Sequence, residues 1–188
     1  MKVMACVASG PSLTEADCAL LTSAGIETIV VNSSWKMMPC ARHLYAGDFQ
    51  WWQANHEIIP SEITRWSSSH ATCCRYNARL FESPINGSFN SGQRAILLAR
   101  KLGADLIILL GYDCSISEGT HWHADHSDGL KNPDARSVMR WRREFSELTQ
   151  CVPSHIIINC SRHTELSLFK KADLEEQLAA CKNILSRG

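Results

Sequence analysis

Three histidines and several carboxylates fall within one short polar stretch, "SEGTHWHADHSDGLKNPD", residues 117–134. His121, His123 and His126 alternate there with Asp125 and Asp128, and Asp113 precedes them. Histidine changes charge near neutral pH, so His126, flanked by two carboxylates that can fix its tautomer, suits a general base. The same imidazoles and carboxylates also suit zinc or manganese. A divalent metal at His121, His123 and His126 is therefore a second use of the segment, although H-x-H-x-x-H is not a recognised metal spacing. The third account is a solvated loop with Trp122 packed onto the body. The elements that hold the segment decide among these accounts.

Those elements alternate between two periodicities. Val3–Ala8 is a short apolar run that stops at Ser9-Gly10-Pro11-Ser12. The stretch Thr14–Ala24 then reads as a helix, with Ser12 and Glu15 spaced as a capping box. Glu27–Val31 and His43–Ala46 read as strands, Phe49–His56 as a short helix, Ile63–Trp66 and Ala71–Arg75 as short strands, and Tyr76–Asn90 as a loop. Ser91 is placed to cap a helix with Ala95, Leu98, Ala99 and Leu102 on one face, closed by Gly103. Leu106–Leu110 is apolar throughout, the pattern of a central strand covered on both faces. Val138, Trp141, Phe145, Leu148 and Val152 recur at helical spacing. A strand Ile156–Asn159 and a last helix striped with Leu174, Leu178, Cys181 and Leu185 follow. Strands alternating with helices predict an α/β fold, Rossmann-like, with a mainly parallel twisted sheet and helices on both faces. The 188 residues are expected to form one nucleotide-binding domain, with 114–136 as a flap over its edge.

In such sheets ligands bind outside the carboxyl ends of the strands, where this chain places Ser9-Gly10-Pro11-Ser12, Asn32-Ser33, Gly47-Asp48, Asn90-Ser91-Gly92, Gly111-Tyr112-Asp113 and Asn159-Cys160-Ser161-Arg162. The first and fourth put small residues at helix N-termini, a geometry that favours phosphate. Any one of these turns is explained by turn and cap chemistry alone; their recurrence on one edge points to a nucleotide-type site. Neither the dinucleotide fingerprint nor a Walker loop is present.

Nineteen basic residues balance nineteen acidic ones, so no global field draws the chain onto nucleic acid or an anionic membrane. The nine cysteines form no C-x-x-C pair, and the start "MKVMACVASGPSL" lacks the pattern of a signal peptide. Reduced thiols in a cytoplasmic protein without a membrane span are expected. Trp51 and Trp52 are read as core packing, Arg140, Arg142 and Arg143 as a solvated helix face, and Cys73 and Cys74 as buried.

The segments "ASGPSL", "VVNSSW", "YAGDFQWW", "NSGQRAILLARKLGA", "LLGYDCS", "HWHADHSD" and "INCSRHTEL" occur in the order found in the bacterial α-2,3/2,8-sialyltransferase-like superfamily. From Val3 to about Leu168 the chain resembles that family, whose small phage and prophage members share its fold. More loosely it resembles proteins related to 6-hydroxymethylpterin diphosphokinase. The resemblance implies a nucleotide-binding set of Gly10, Pro11, Ser12, Asn32, Asp48, Ser91, Gly92, Gly111 and Asp113, to which the polar turn after the last long strand adds Ser161 and Arg162. Within it, Asp113 would accept from a ribose hydroxyl. His126 would be the general base, with His123 and Asp125 beside it, and Lys131, Arg136 or Arg162 would stabilise the leaving phosphate. The family's paired tyrosines lack secure counterparts, and its lid segment is shorter here.

The expected activity is that of a transferase using a nucleotide-activated donor, a sialyltransferase-like glycosyltransferase with a CMP-type nucleotide, an acceptor of unspecified class and no tightly bound cofactor. The alternatives are a nucleotide-binding protein without catalysis, and a metal-dependent phosphohydrolase or diphosphotransferase using the histidine segment.

Overall fold

The computed structural model describes residues 1–87, 90–117, 119–122 and 134–185, with backbone alone at Ala135, Ile184 and Leu185. The strands are β1 (Val3–Val7), β2 (Glu27–Val31), β3 (His43–Tyr45), β4 (Thr64–Ser67), β5 (Arg79–Leu80), β6 (Leu106–Leu110), β7 (Ile157–Asn159) and β8 (Lys170–Lys171). The helices are α1 (Glu15–Ser23), α2 (Phe49–Asn55), α3 (His70–Tyr76), α4 (Ser91–Lys101), α5 (Ala135–Leu148) and α6 (Leu174–Leu185). The strands form one sheet in the order β5-β4-β3-β2-β1-β6-β7-β8, and every pairing is parallel.

Burial on both sides explains the unbroken apolar runs of β1 and β6, which pair from Val3 opposite Leu106 to Val7 opposite Leu110. Successive side chains of a strand point to opposite faces, so the runs feed two cores. Val3, Ala5, Val7, Ile108 and Leu110 pack with residues of α1, α2, α3 and α6. Met4, Cys6, Ile107 and Leu109 pack with α4 and α5. The chain steps outward from β1 to β5 with its crossovers on the first face, then returns to β6 across the second. A single crossover handedness requires that change of face when the direction reverses.

The structure corrects several local expectations. Residues 71–75 lie in helix α3 rather than a strand, because Ser69 accepts a hydrogen bond from the Thr72 amide and buried Thr72 and Tyr76 stand one turn apart. Helix α1 is capped by Thr14, whose hydroxyl accepts from the Asp17 amide, and not by Ser12. Helix α4 begins at Asn90 as its cap, one residue before the expected position. β5 emerges within the expected loop, and the stretch before β7 is a 3-10 turn, Ser154–Ile156.

All nine cysteines are free thiols. Burial pushes Cys18 up to about 11 and Cys114 and Cys160 up to about 12, as expected of packing residues rather than nucleophiles. Cys73 is half-buried and Cys74 exposed, contrary to the burial expected of both. Among the described residues no helix is long and apolar enough to cross a membrane.

Candidate functional site

Strand order reverses between β1 and β6, and a cleft of about 870 Å³ opens at the carboxyl ends of the strands there. This is the position where open parallel sheets leave room for a ligand, because the connections after β1 and β6 lead to helices on opposite faces of the sheet. The volume is within the usual range of small-molecule sites. Its walls are the loops after β1, β2, β3 and β6, the N-terminus of α4 and the first turns of α5.

The loops after β1 and β6 are knitted to each other. The Ala8 amide donates to the Leu110 carbonyl at 2.9 Å, and the Gly10 amide to the Gly111 carbonyl at 2.9 Å. A side chain at Gly10 would overlap the Asp113 carboxylate and come within 2.6 Å of the Gly111 carbonyl oxygen. Gly111 has φ +68°, and a side chain there would overlap the Ala8 carbonyl. The Asp113 carboxylate is 1% exposed and accepts from Ser12 twice, from its amide at 2.8 Å and its hydroxyl at 2.6 Å. Ser12 is turned onto this interior contact, and neither Pro11 nor Ser12 lines the cleft, while Gly10, Gly111 and Asp113 border it.

Side chains from the segment after β7 brace the loop after β6. The Tyr112 amide donates to the Ser161 hydroxyl at 2.9 Å, Thr164 donates to the Tyr112 carbonyl at 2.7 Å, and the Glu165 amide donates to the Asp113 carbonyl at 2.8 Å. Ser161 is thus a buried structural link. Arg162 also stands apart from the cleft, making two 2.9 Å bonds to buried Asp17 across a smaller depression beside α6. The phosphate role expected of Ser161 and Arg162 has no geometric support at the cleft.

The opposite wall is more open. Ser91 Oγ accepts from the Gly47 amide at 3.2 Å, which ties the loop after β3 to the start of α4. Asn90 Oδ1 accepts from the Gln93 amide, and the Tyr112 hydroxyl donates to the Gly92 carbonyl at 3.0 Å. The amides of Ser91 and Gly92, in the first helical turn, have no acceptor within the helix itself. Gln93 Nε2 donates to the Glu144 carbonyl and so fixes α4 against α5. Arg136, Ser137, Arg140 and Trp141 of α5 all line the cleft. Arg140, Arg142 and Arg143 are all exposed, as expected of a solvated face; Arg140 also lines the cleft, and Arg142 donates to Glu165 at 2.7 Å.

Asn32 sits at the end of β2 with φ +49°, and its Oδ1 is buried without a hydrogen-bond partner. A non-glycine residue held in the left-handed region beside a cleft, with an unpaired acceptor, is a common mark of a ligand position. Asp48 Oδ1 caps α2, accepting from the Gln50 and Trp51 amides. Trp51 and Trp52 are core residues as expected, and Trp51 also forms part of the cleft wall.

At the mouth of the histidine segment, His121 Nδ1 is 2.9 Å from the Ser9 hydroxyl and the Trp122 amide donates to the Ser9 carbonyl at 3.0 Å. The expected catalytic residues His123, Asp125 and His126, and the expected phosphate contact Lys131, lie outside the described residues. Among the described residues no three His, Cys, Asp or Glu side chains are grouped so as to hold a metal ion. Of the three histidines considered for a metal, His121 alone is described. Comparison with protein-family models, curated proteins and solved structures finds no match to this chain.

Proposed function

We propose that the cleft binds a nucleotide and that the protein is a transferase acting on a nucleotide-activated donor, with sialyltransferase-like glycosyl transfer from a CMP-type donor as the specific reading. The observation that carries the binding half is the position of the cleft, at the reversal of strand order in an all-parallel sheet. The unpartnered Asn32 Oδ1 and the open first turn of α4 supply polar groups of the kind a ribose and phosphate require. The transferase half rests on the resemblance, with His126 taking the proton from the acceptor hydroxyl.

A thermal-shift panel of CMP, CDP, CTP, UMP, UDP, GDP and ADP, with and without divalent metal, tests the reading. A ligand present at 100 times its Kd stabilises the fold by about 2.7 kcal/mol. The expected result is a selective response to cytidine nucleotides, together with CMP release from a CMP-activated sugar that His126→Ala abolishes without loss of the thermal response. No response to any nucleotide would overturn the proposal. A response without release in the wild type would leave a nucleotide-binding protein without transfer.

A further inference from the structure

We infer that the phosphate of the bound nucleotide is held by Arg136 and Arg140 of α5 together with the first turn of α4, on the opposite side of the cleft from the Gly10-Pro11-Ser12 turn. The inference rests on the nucleotide reading above and adds where its anionic end lies.

The charges that face the cleft are distributed unevenly. Among the described residues its carboxylates are already engaged: Asp113 accepts from Ser12, Asp48 from the amides of Gln50 and Trp51, and Asp134 from the amide and hydroxyl of Ser137. Bonds of this kind hold those carboxylates toward the protein's own donors. Arg136 and Arg140 are the two guanidinium groups lining the cleft among the described residues. They stand one helical turn apart, so their side chains share a face of α5. Arg140 is 58% exposed, and its Nε lies 3.9 Å from Glu144 Oε1, too long for a hydrogen bond. Arg136 lies beside Asp134, whose carboxylate is directed to the helix cap.

Glu144 compensates Arg140 poorly. It is 3% exposed with Oε2 unpartnered, and burial raises its pKa against the opposing effects of Asn90, Arg140 and Arg143. Its backbone carbonyl nevertheless holds Gln93, so α5 is fixed one turn beyond Arg140 against the start of α4. The arrangement brings two planar cationic forks to the helix end that presents the Ser91 and Gly92 amides, a combination suited to a phosphate or diphosphate. The other turn offers no equivalent, because the Ser12 amide and hydroxyl both go to Asp113 and Arg162 goes to Asp17.

Calorimetry on the full chain with cytidine, CMP, CDP and inorganic pyrophosphate tests this. The proteins compared are the wild type, Arg136→Ala/Arg140→Ala and, as a cation outside the cleft, Arg162→Ala. Both target side chains are exposed, and matching thermal melts would establish that the double variant folds. The double variant is expected to bind CMP and CDP at least about tenfold more weakly, to bind cytidine as the wild type does, and to lose pyrophosphate binding. Arg162→Ala should match the wild type. Pyrophosphate binding that depends on the two arginines, with no binding of any cytidine compound, would keep the anion site and sink the nucleotide reading. Unchanged discrimination between CMP and cytidine in the double variant, or an equal loss in Arg162→Ala, would overturn the anion site and leave the nucleotide reading standing. A wild type that binds none of the four probes would overturn both.

Discussion

The Gly10-Pro11-Ser12 turn after β1 and the Asn90-Ser91-Gly92 turn before α4 have similar composition, and both lead toward a helix on the ligand edge of the sheet. Their roles diverge. The first is closed: its donors meet the buried Asp113 carboxylate, and its glycine permits contact between two backbones. The second faces the cleft, with its cap satisfied by its own Asn90 and two arginines from α5 on the same wall. Whether a polar turn can serve a ligand thus depends on the acceptors the rest of the chain brings to it. For Ser12 that acceptor lies 101 residues away.

The largest test of this contrast is a pair of alanine substitutions. Gly10→Ala drives a side chain into the buried Asp113 carboxylate and against the Gly111 carbonyl oxygen at 2.6 Å, for an expected loss of about 3 kcal/mol. Gly92→Ala meets the edge of the Tyr112 ring at 3.1 Å in an ordinary helical position and should change stability by less than about 1 kcal/mol. Urea denaturation of both variants measures the gap, and equal losses would remove the distinction between closed and open turns.

Asp113→Asn should have an intermediate effect. The amide keeps the volume and its oxygen can still accept from the Ser12 amide, while its nitrogen faces the Ser12 hydroxyl, which can turn to accept; the cost is the loss of the bonds' ionic character, about 1 kcal/mol in the same assay. If nucleotide affinity fell while stability held, Asp113 would instead be the ribose contact that the family resemblance implies.

The smallest effect concerns the open wall. Burial raises Glu144 above its ordinary 4.5, so the native state holds that proton more tightly than the unfolded chain does. Its contribution to stability is therefore full below about 4.5 and declines as pH rises through the native value. Glu144→Gln should remove that decline, leaving the variant more stable than the wild type at pH 7 but not at pH 4. Melting temperatures at the two pH values check this, and a variant less stable than the wild type at pH 7 would show that the ionised carboxylate supports α5.

The main strands were legible because burial on both faces leaves an unambiguous pattern. Leu106–Leu110 carries it from end to end and Glu27–Val31 over its last three residues, and the observed strands have those same bounds. Helix α3 was not legible: Ala71–Arg75 is shorter than two helical turns, too short for its period to separate from a strand's, and the Ser69 cap lies just outside it. The site was legible as an edge, since polar turns after parallel strands must gather on one side. Which turns were open was not. Arg140 and Arg143 are three residues apart on one helix, yet one borders the cleft and the other is 72% exposed beside Glu147. That difference follows from how α5 is rotated against α4, which Gln93 and the Glu144 carbonyl help to fix across 51 residues of sequence.

The two outer strands bear on how copies of the protein meet in solution. Equal numbers of acidic and basic residues and a pI near 7.1 leave little mutual repulsion at neutral pH, the condition under which exposed strand edges join most readily. Both edges of this sheet are only two residues long, Arg79–Leu80 on one side and Lys170–Lys171 on the other, and each carries cationic side chains. A neighbouring sheet that tried to extend either side would bring like charges together over a ladder too short to compensate. Protection against edge-to-edge assembly therefore comes from three local cations rather than from the charge of the whole molecule.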